Sequence, residues 1–89
     1  MKVAFSKKYE RQFDKLAKAN DRKRIAAAVQ SIIDTKRLED LPSIKKLKGF
    51  THAYRVRSGQ FRIGIIKQPD GTVLIAAFDL RKDFYDVFP

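Results

Sequence analysis

This chain is predicted to fold as an α+β domain, with a two-helix hairpin packed on one face of a small, mainly antiparallel sheet. In the N-terminal part, apolar residues recur at spacings of three and four, which is typical of amphipathic helices. From Tyr54 onward they alternate with polar residues, which is typical of strands. Turn signals at Ser58-Gly59 and Pro69-Asp70-Gly71 separate the alternating runs. Consecutive strands after paired helices favour an antiparallel sheet covered by those helices.

The first elements are a short strand and a helix. Residues 2 to 5 predict the strand because Val3 and Phe5 alternate with their neighbours. Ser6 follows as an N-cap, since its hydroxyl can accept a hydrogen bond from the first helical turn. An apolar stripe then runs along the helix, formed by Tyr9, Phe13 and Leu16.

A second helix follows after a short connection, so the two helices are expected to form a hairpin. Asn20-Asp21 interrupts the first stripe and is predicted to cap the second helix, which runs to about Arg37. A loop is expected from Leu38 to Ser43 because it contains Pro42. The second apolar stripe is formed by Ile25, Val29, Ile32 and Ile33.

Three strands complete the predicted order, β-α-α-β-β-β, within a single domain spanning residues 1–89. They cover residues 54–57, 61–66 and 72–78, and the tail from Arg81 to Phe88 has room for one helical turn. If Ser58-Gly59 is a two-residue loop, Arg55 lies opposite Arg62 on a basic face. If Asp70-Gly71 is also a two-residue loop, Arg62 lies opposite Asp79 on the next strand. The sequence leaves open whether Asp79 forms a salt bridge with Arg62 or orients it.

Charge is the strongest compositional signal. The chain has 20 Lys and Arg against 10 Asp and Glu, a net charge of +10. No Cys and one His exclude Cys-based or multi-His metal sites, and no metal or cofactor is expected. No membrane span or signal peptide is recognised, so a cytoplasmic protein is expected. Residues 41–69 contain no acidic residue, which predicts a polyanion-binding surface. Its cations are Lys45, Lys46, Lys48, Arg55, Arg57, Arg62 and Lys67.

Phosphodiester cleavage is a chemistry that these residues could perform without a catalytic histidine. The lone His52 is in an expected loop without an orienting partner, so we interpret it as an ordinary surface residue. RNA supplies its own nucleophile, the 2′-hydroxyl, and arginines can stabilise the charge of a phosphorane-like transition state. Tyr85 can transfer a proton, stack on a base or pack in the core. One helical turn would place it beside Arg81, four residues earlier.

Three segments resemble the RelE/ParE superfamily of bacterial and archaeal type II toxins. The resemblance covers nearly the whole chain and includes the β-α-α-β-β-β order. The motifs are fairly specific for the superfamily but separate its branches poorly. They are Lys46-Leu47-Lys48-Gly49, the run from Tyr54 to Gly64 with arginines at 55, 57 and 62, and Arg81-Lys82-Asp83-Phe84-Tyr85 with the closing Phe88-Pro89.

The resemblance implies a toxin that a cognate antitoxin neutralises in a hetero-oligomer. RelE-like members are endoribonucleases that cut mRNA on the ribosome, which is the reading we favour here. By position, the resemblance implies catalytic roles for Arg55, Arg57, Arg62, Arg81 and Tyr85. It also implies RNA contacts for Lys45, Lys46 and Lys48.

One departure keeps other functions open. Leu80 stands where many relatives have His, so proton transfer would depend on Tyr85, a basic side chain or ribosomal groups. The alternatives are a ParE-like inhibitor of DNA gyrase, a non-catalytic RNA- or ribosome-binding domain, and a catalytically degenerate toxin.

Overall fold

A five-stranded sheet with helices on both faces forms the body of the molecule. The computed structural model describes all residues from Met1 to Pro89. The elements are β1 (Val3–Phe5), α1 (Lys7–Asp14), α2 (Ala19–Asp34), a 3₁₀ turn (Leu38–Asp40), β2 (Ile44–Lys46), β3 (Ala53–Ser58), β4 (Phe61–Lys67), β5 (Val73–Leu80) and α3 (Phe84–Val87). The strand order of the sheet is β1-β5-β4-β3-β2, in which only β1 and β5 are parallel. No helix is long and apolar enough to cross a bilayer.

The main core lies between α1, α2 and one face of the sheet, as the periodicity predicts. Ile25 and Ile32 of α2 are fully buried, and they belong to the same apolar cluster as Ile63 and Ile65 of β4. A smaller cluster on the opposite face packs Phe84 of α3 and the tail against the sheet. We call these the helix face and the open face, because only part of the second is covered.

The predicted Ser6 cap is confirmed, and it also completes the edge of β5. The Ser6 hydroxyl accepts a hydrogen bond from the Tyr9 amide at 2.9 Å and donates one to the Ala76 carbonyl. Gln12 exchanges two hydrogen bonds with the backbone of Phe78, at 2.7 and 3.0 Å. Since β1 pairs only with residues 73–75, these side chains satisfy backbone groups that no strand reaches.

The second helix differs from its prediction at both ends. It begins at Ala19, so Asn20-Asp21 lies in its first turn and does not cap it. It ends at Asp34, before the 3₁₀ turn that occupies part of the expected loop. The guanidinium of Arg22 secures the helix junction by donating to the carbonyls of Phe13 and Leu16, at 2.9 and 3.2 Å.

The first strand hairpin has a different register from the predicted one. Its two-residue loop is Gly59-Gln60, so Ser58 pairs with Phe61 and Arg57, not Arg55, lies opposite Arg62. Gly59 has φ 61°, a left-handed conformation that glycine adopts without strain. The shift in register is two residues, so the predicted apolar and basic faces are both preserved.

The predicted two-residue loop of the second hairpin is also wrong, but the predicted pairing of Arg62 with Asp79 is confirmed. Residues 68–72 form a five-residue loop in place of a two-residue turn. A bulge at Ala76 of β5 then shifts the pairing, so Arg62 does lie opposite Asp79. The short strand β2 was not predicted, and it pairs Lys45 with Arg55 at the edge of the sheet.

Candidate functional site

Arg62 is the centre of the cationic cluster on the open face. It lies near the start of the central strand β4 with 9% of its surface exposed, and its Nη1 donates to the carbonyls of Gly59 and Phe61, at 3.2 and 3.1 Å. Its Nε and Nη2 bond to no protein group, and no buried side-chain nitrogen lacks a partner. These two donors therefore reach solvent, where a ligand can accept from them.

Arg62 has no salt bridge, which excludes one of the two interpretations of Asp79. The sole ion pair in the molecule joins Arg37 to Glu39 at 2.9 Å, on exposed side chains elsewhere. The Asp79 carboxylate instead accepts a hydrogen bond from the Leu80 amide at 2.7 Å. The positive charge of Arg62 is thus left without a bound carboxylate.

Other cations surround Arg62 and act on its titration. Burial lowers the pKa of the Arg62 guanidinium, and the neighbouring charges of Arg55, Arg57 and Arg81 lower it further. Tyr85 acts in the opposite direction, so it too lies within electrostatic range. The other four residues predicted as catalytic therefore lie within electrostatic range of Arg62, although they come from β3 and the C-terminal tail. A bound anion would relieve the repulsion among the four arginines.

Strand register and one backbone bond place the arginines. Arg57 lies opposite Arg62, while Arg55 lies between Gly64 and Lys45 on the neighbouring strands. Arg81 directly follows β5, and its amide donates to the Gln60 carbonyl at 2.8 Å. This bond holds the tail against the hairpin turn. A cavity of about 530 Å³ there is lined by Gly59, Gln60, Arg62, Leu80, Arg81 and Lys82.

Tyr85 reaches the site by packing and not by a shared helical turn with Arg81, which precedes α3. The ring of Phe84 is fully buried, 5.1 Å from that of Tyr85 and 5.5 Å from that of Phe88. Phe88 in turn lies on Gly64, where a Cβ atom would come within 2.4 Å of the ring. The tail therefore presents a Tyr85 side chain that is 62% exposed.

The predicted RNA-binding lysines form a second groove next to the arginines. Lys45, Lys46 and Lys48 are all exposed. The groove has a volume of about 310 Å³, and Tyr85 is the one candidate catalytic residue that lines it. The phenol thus stands between the arginine cluster and the lysines. The other lining residues are Leu47, Phe50 and Pro89.

Several residues that line the two cavities lie outside the predicted set. Lys82 and Gln60 line the arginine cavity, and Phe50 is 51% exposed in the lysine groove. Phe50 directly follows the Lys-Leu-Lys-Gly motif, which was the available signal for it. His52 is exposed and lines neither the arginine cavity nor the lysine groove. Leu80 does line the arginine cavity, where it offers no titratable group.

Similarity to known proteins covers the full chain. No protein-family model matches it. It is 38% identical over 90 residues to toxin RelE3 of Methanocaldococcus jannaschii, with 100% of both chains covered. A chain in the crystal structure of a RelB–RelE antitoxin–toxin complex from Methanococcus jannaschii has 32% identity and a TM-score of 0.76, over 98% of this chain and 100% of that one.

A more distant structure has the same fold. The toxin–antitoxin complex RelBE2 from Mycobacterium tuberculosis contains a chain with 26% identity and a TM-score of 0.61, over 90% of this chain and 96% of that one. The predicted α+β architecture with its two-helix face agrees with these structures. Given full-length identity above 30% to a RelE toxin, the chain belongs to the RelE toxin family.

Proposed function

We propose that this protein is the toxin of a type II toxin–antitoxin system and an endoribonuclease that cleaves mRNA on the ribosome. One observation carries the proposal: three arginines and Tyr85 surround the buried Arg62, and no carboxylate is paired with these arginines. Such a site is complementary to a phosphodiester, because each guanidinium can donate two parallel hydrogen bonds to phosphate oxygens. Family membership supports the same function.

The chemistry requires no nucleophile from the protein. The 2′-oxygen of the RNA attacks the adjacent phosphorus as its proton passes to a ribosomal group or to water, and the bond from phosphorus to the 5′-oxygen breaks. The products are a 2′,3′-cyclic phosphate and a 5′-hydroxyl, which takes up a proton. Negative charge grows on the non-bridging oxygens during attack, and donors fixed beforehand stabilise it. Arg62 and Arg81 are the proposed donors, since both residues line the same cavity.

The remaining residues bind the RNA or act on the leaving group. Arg55 and Arg57 bind and orient the backbone, and Lys45, Lys46 and Lys48 hold the RNA in the adjoining groove. Tyr85 lies between them, so its hydroxyl can donate a proton to the leaving 5′-oxygen or its ring can stack on a base. Tyr85→Phe separates these roles, because it removes the proton and keeps the ring.

We also propose that an acidic antitoxin holds this toxin in a hetero-oligomer. The net charge of +10 favours an acidic partner through long-range attraction. The related archaeal structure is a RelB–RelE antitoxin–toxin complex. A site that cleaves mRNA would place the protein in the cytoplasm.

The test is to map mRNA 5′ ends by primer extension in a cell-free translation reaction with the purified protein. We expect new ends at codon positions, and only when translation proceeds. Arg62→Ala/Arg81→Ala should abolish them. The matched control, Lys7→Ala/Arg11→Ala, removes the same charge from the exposed surface of α1 and should leave them unchanged.

Other outcomes would contradict the proposal in identifiable ways. Intact mRNA with normal translation would overturn it, and a supercoiling assay would then test gyrase inhibition. Translation arrest without cleavage would instead indicate a ribosome-binding or catalytically degenerate protein.

A further inference from the structure

We infer that a second cationic groove, between α2 and the free end of β3, binds the RNA backbone where it leaves the site. The inference rests on the proposed function, because it takes RNA as the ligand of the arginine cluster. It adds residues of α2, above all Lys23 and Arg24, that none of the family motifs contains. The RNA would cross the β3–β4 turn from the open face to this groove.

The groove lies where β3 extends beyond its neighbouring edge strand. Pairing between β2 and β3 ends at Ile44 and Val56, so Arg57 and Ser58 have no partner on that side. Residues 41–43 and the exposed side of α2 form the walls, enclosing about 680 Å³. Arg57 lines this groove and lies directly opposite Arg62 in the pairing of β3 with β4. The groove and the candidate site are therefore adjacent at this residue.

Two arginines flank the turn that separates the groove from the site. On the open face, Arg62 donates to the Gly59 carbonyl. On the other side, the guanidinium of Arg24 lies against the same glycine, where a Cβ atom would come within 2.6 Å of its Nη1. An RNA strand that passes over Gly59 would thus stay close to positive charge, first that of Arg62 and then that of Arg24.

The cations of the groove are free to bind phosphates. Lys23, Arg24 and Arg57 are exposed, and none is paired with a carboxylate, although Asp21 also lines the groove. The other polar lining groups, which can donate hydrogen bonds to phosphate or sugar oxygens, are Asn20, Ser31, Ser43 and Ser58.

The composition of the groove favours RNA over a protein segment. Only 4 of its 13 lining residues are hydrophobic, whereas the centre of a protein interface is enriched in apolar and aromatic side chains. The groove also contains no aromatic residue that would anchor a peptide. An acidic peptide would have to bind through charge alone, so it is the outcome that the test must exclude.

The test measures binding of single-stranded RNA to Lys23→Ala/Arg24→Ala over a range of salt concentrations. Lost phosphate contacts should weaken binding several-fold and reduce the slope of log K against log salt by about 0.7 for each contact on a single strand. Lys7→Ala/Arg11→Ala, with the same charge change, should bind like the unmodified protein. Because the groove lies outside the site, the defect should appear with RNA of about ten nucleotides and be absent with about three.

Binding to a free oligonucleotide and binding to vacant ribosomes, measured separately, identify the source of the RNA. Weaker binding to the free oligonucleotide would assign the groove to the message, whereas weaker binding to vacant ribosomes alone would assign it to ribosomal RNA. Unchanged binding to both would overturn the inference. A polyglutamate peptide that loses affinity while RNA does not would overturn it in favour of an acidic protein partner.

These results are distinguishable from failure of the proposed function. If the unmodified protein binds RNA but never cleaves it, the proposed endoribonuclease activity is wrong. The inference of an RNA-binding groove is then decided by the binding measurements alone. If the unmodified protein binds neither RNA nor ribosomes, both are wrong.

Discussion

The two faces of the sheet are built from the same strands, yet one concentrates apolar contacts and the other concentrates like charges. In β4, Ile63 is fully buried against the helices, while its neighbour Arg62 is buried among cations. Burying an aliphatic side chain stabilises the fold, whereas burying an unpaired charge opposes folding. The helix face thus supplies the stability that allows the open face to hold a repulsive cluster in place.

The largest effect on stability should come from a cavity on the helix face. Ile63→Ala is expected to lower the free energy of unfolding by about 2–5 kcal/mol, because the surrounding core cannot fully collapse. At temperatures where the variant stays folded, its cleavage rate should match that of the original protein. Urea denaturation and the primer-extension assay measure the two quantities.

Ile66→Ala provides the matched control for that cavity. Ile66 lies in the same strand but is only partly buried, beside the smaller cluster of the open face. Its truncation should destabilise the protein less than Ile63→Ala does. Equal losses would mean that the two faces contribute equally to stability.

The opposite pattern is expected for the buried arginine. Arg62→Met should reduce cleavage by about 100-fold or more, since it removes a fixed donor to the phosphate. The free energy of unfolding should change by about 1 kcal/mol or less, because two lost hydrogen bonds offset the relief of desolvation and repulsion. A parallel loss of activity and stability would show that Arg62 is structural. Lys15→Met, an exposed cation at the C-terminal end of α1, should alter neither quantity.

The sequence was sufficient to predict which residues occupy each face, although the hairpin registers it implied were wrong. A shift of two residues returns every side chain to its original face, so the error at Ser58-Gly59 left the basic cluster intact. The bulge at Ala76 similarly compensated for the wrong second loop. Alternation is a local property of each strand, whereas loop length and bulges depend on tertiary packing.

The parts of the site that were mispredicted depend on long-range contacts. Helical spacing suggested that Arg81 and Tyr85 meet on one turn, but Phe88 and Gly64 bring Tyr85 into position from across the sheet. The strand β2 was not predicted because its three residues are too few to show an alternation of apolar and polar side chains. The groove beside α2 combines segments far apart in sequence, so no local pattern marks it.

A smaller effect is expected where the covered and cationic parts of the open face meet. Gly64→Ala should push the Phe88 ring away, destabilising the protein by about 1–3 kcal/mol through overpacking. Because the Phe88 ring packs on Phe84, which contacts Tyr85, cleavage should fall about tenfold as the Tyr85 side chain moves. A second change, Phe88→Leu, should recover part of the stability by making room for the new methyl group. No recovery in the double variant would mean that Gly64 acts through some other contact.

The smallest effect is a difference in pH dependence between the two faces. Burial raises the pKa of the Tyr9 phenol on the helix face, so its contribution to stability is complete below the unfolded value of about 10 and is lost as pH rises beyond it. Urea midpoints measured from pH 8 to 11 should therefore decline less steeply for Tyr9→Phe than for the unmodified protein. On the open face, burial and neighbouring cations lower the pKa of Arg62, but a guanidinium stays protonated across this range, so Arg62→Met should leave the slope unchanged. Equal slopes for Tyr9→Phe and the unmodified protein would contradict the role assigned to the Tyr9 phenol.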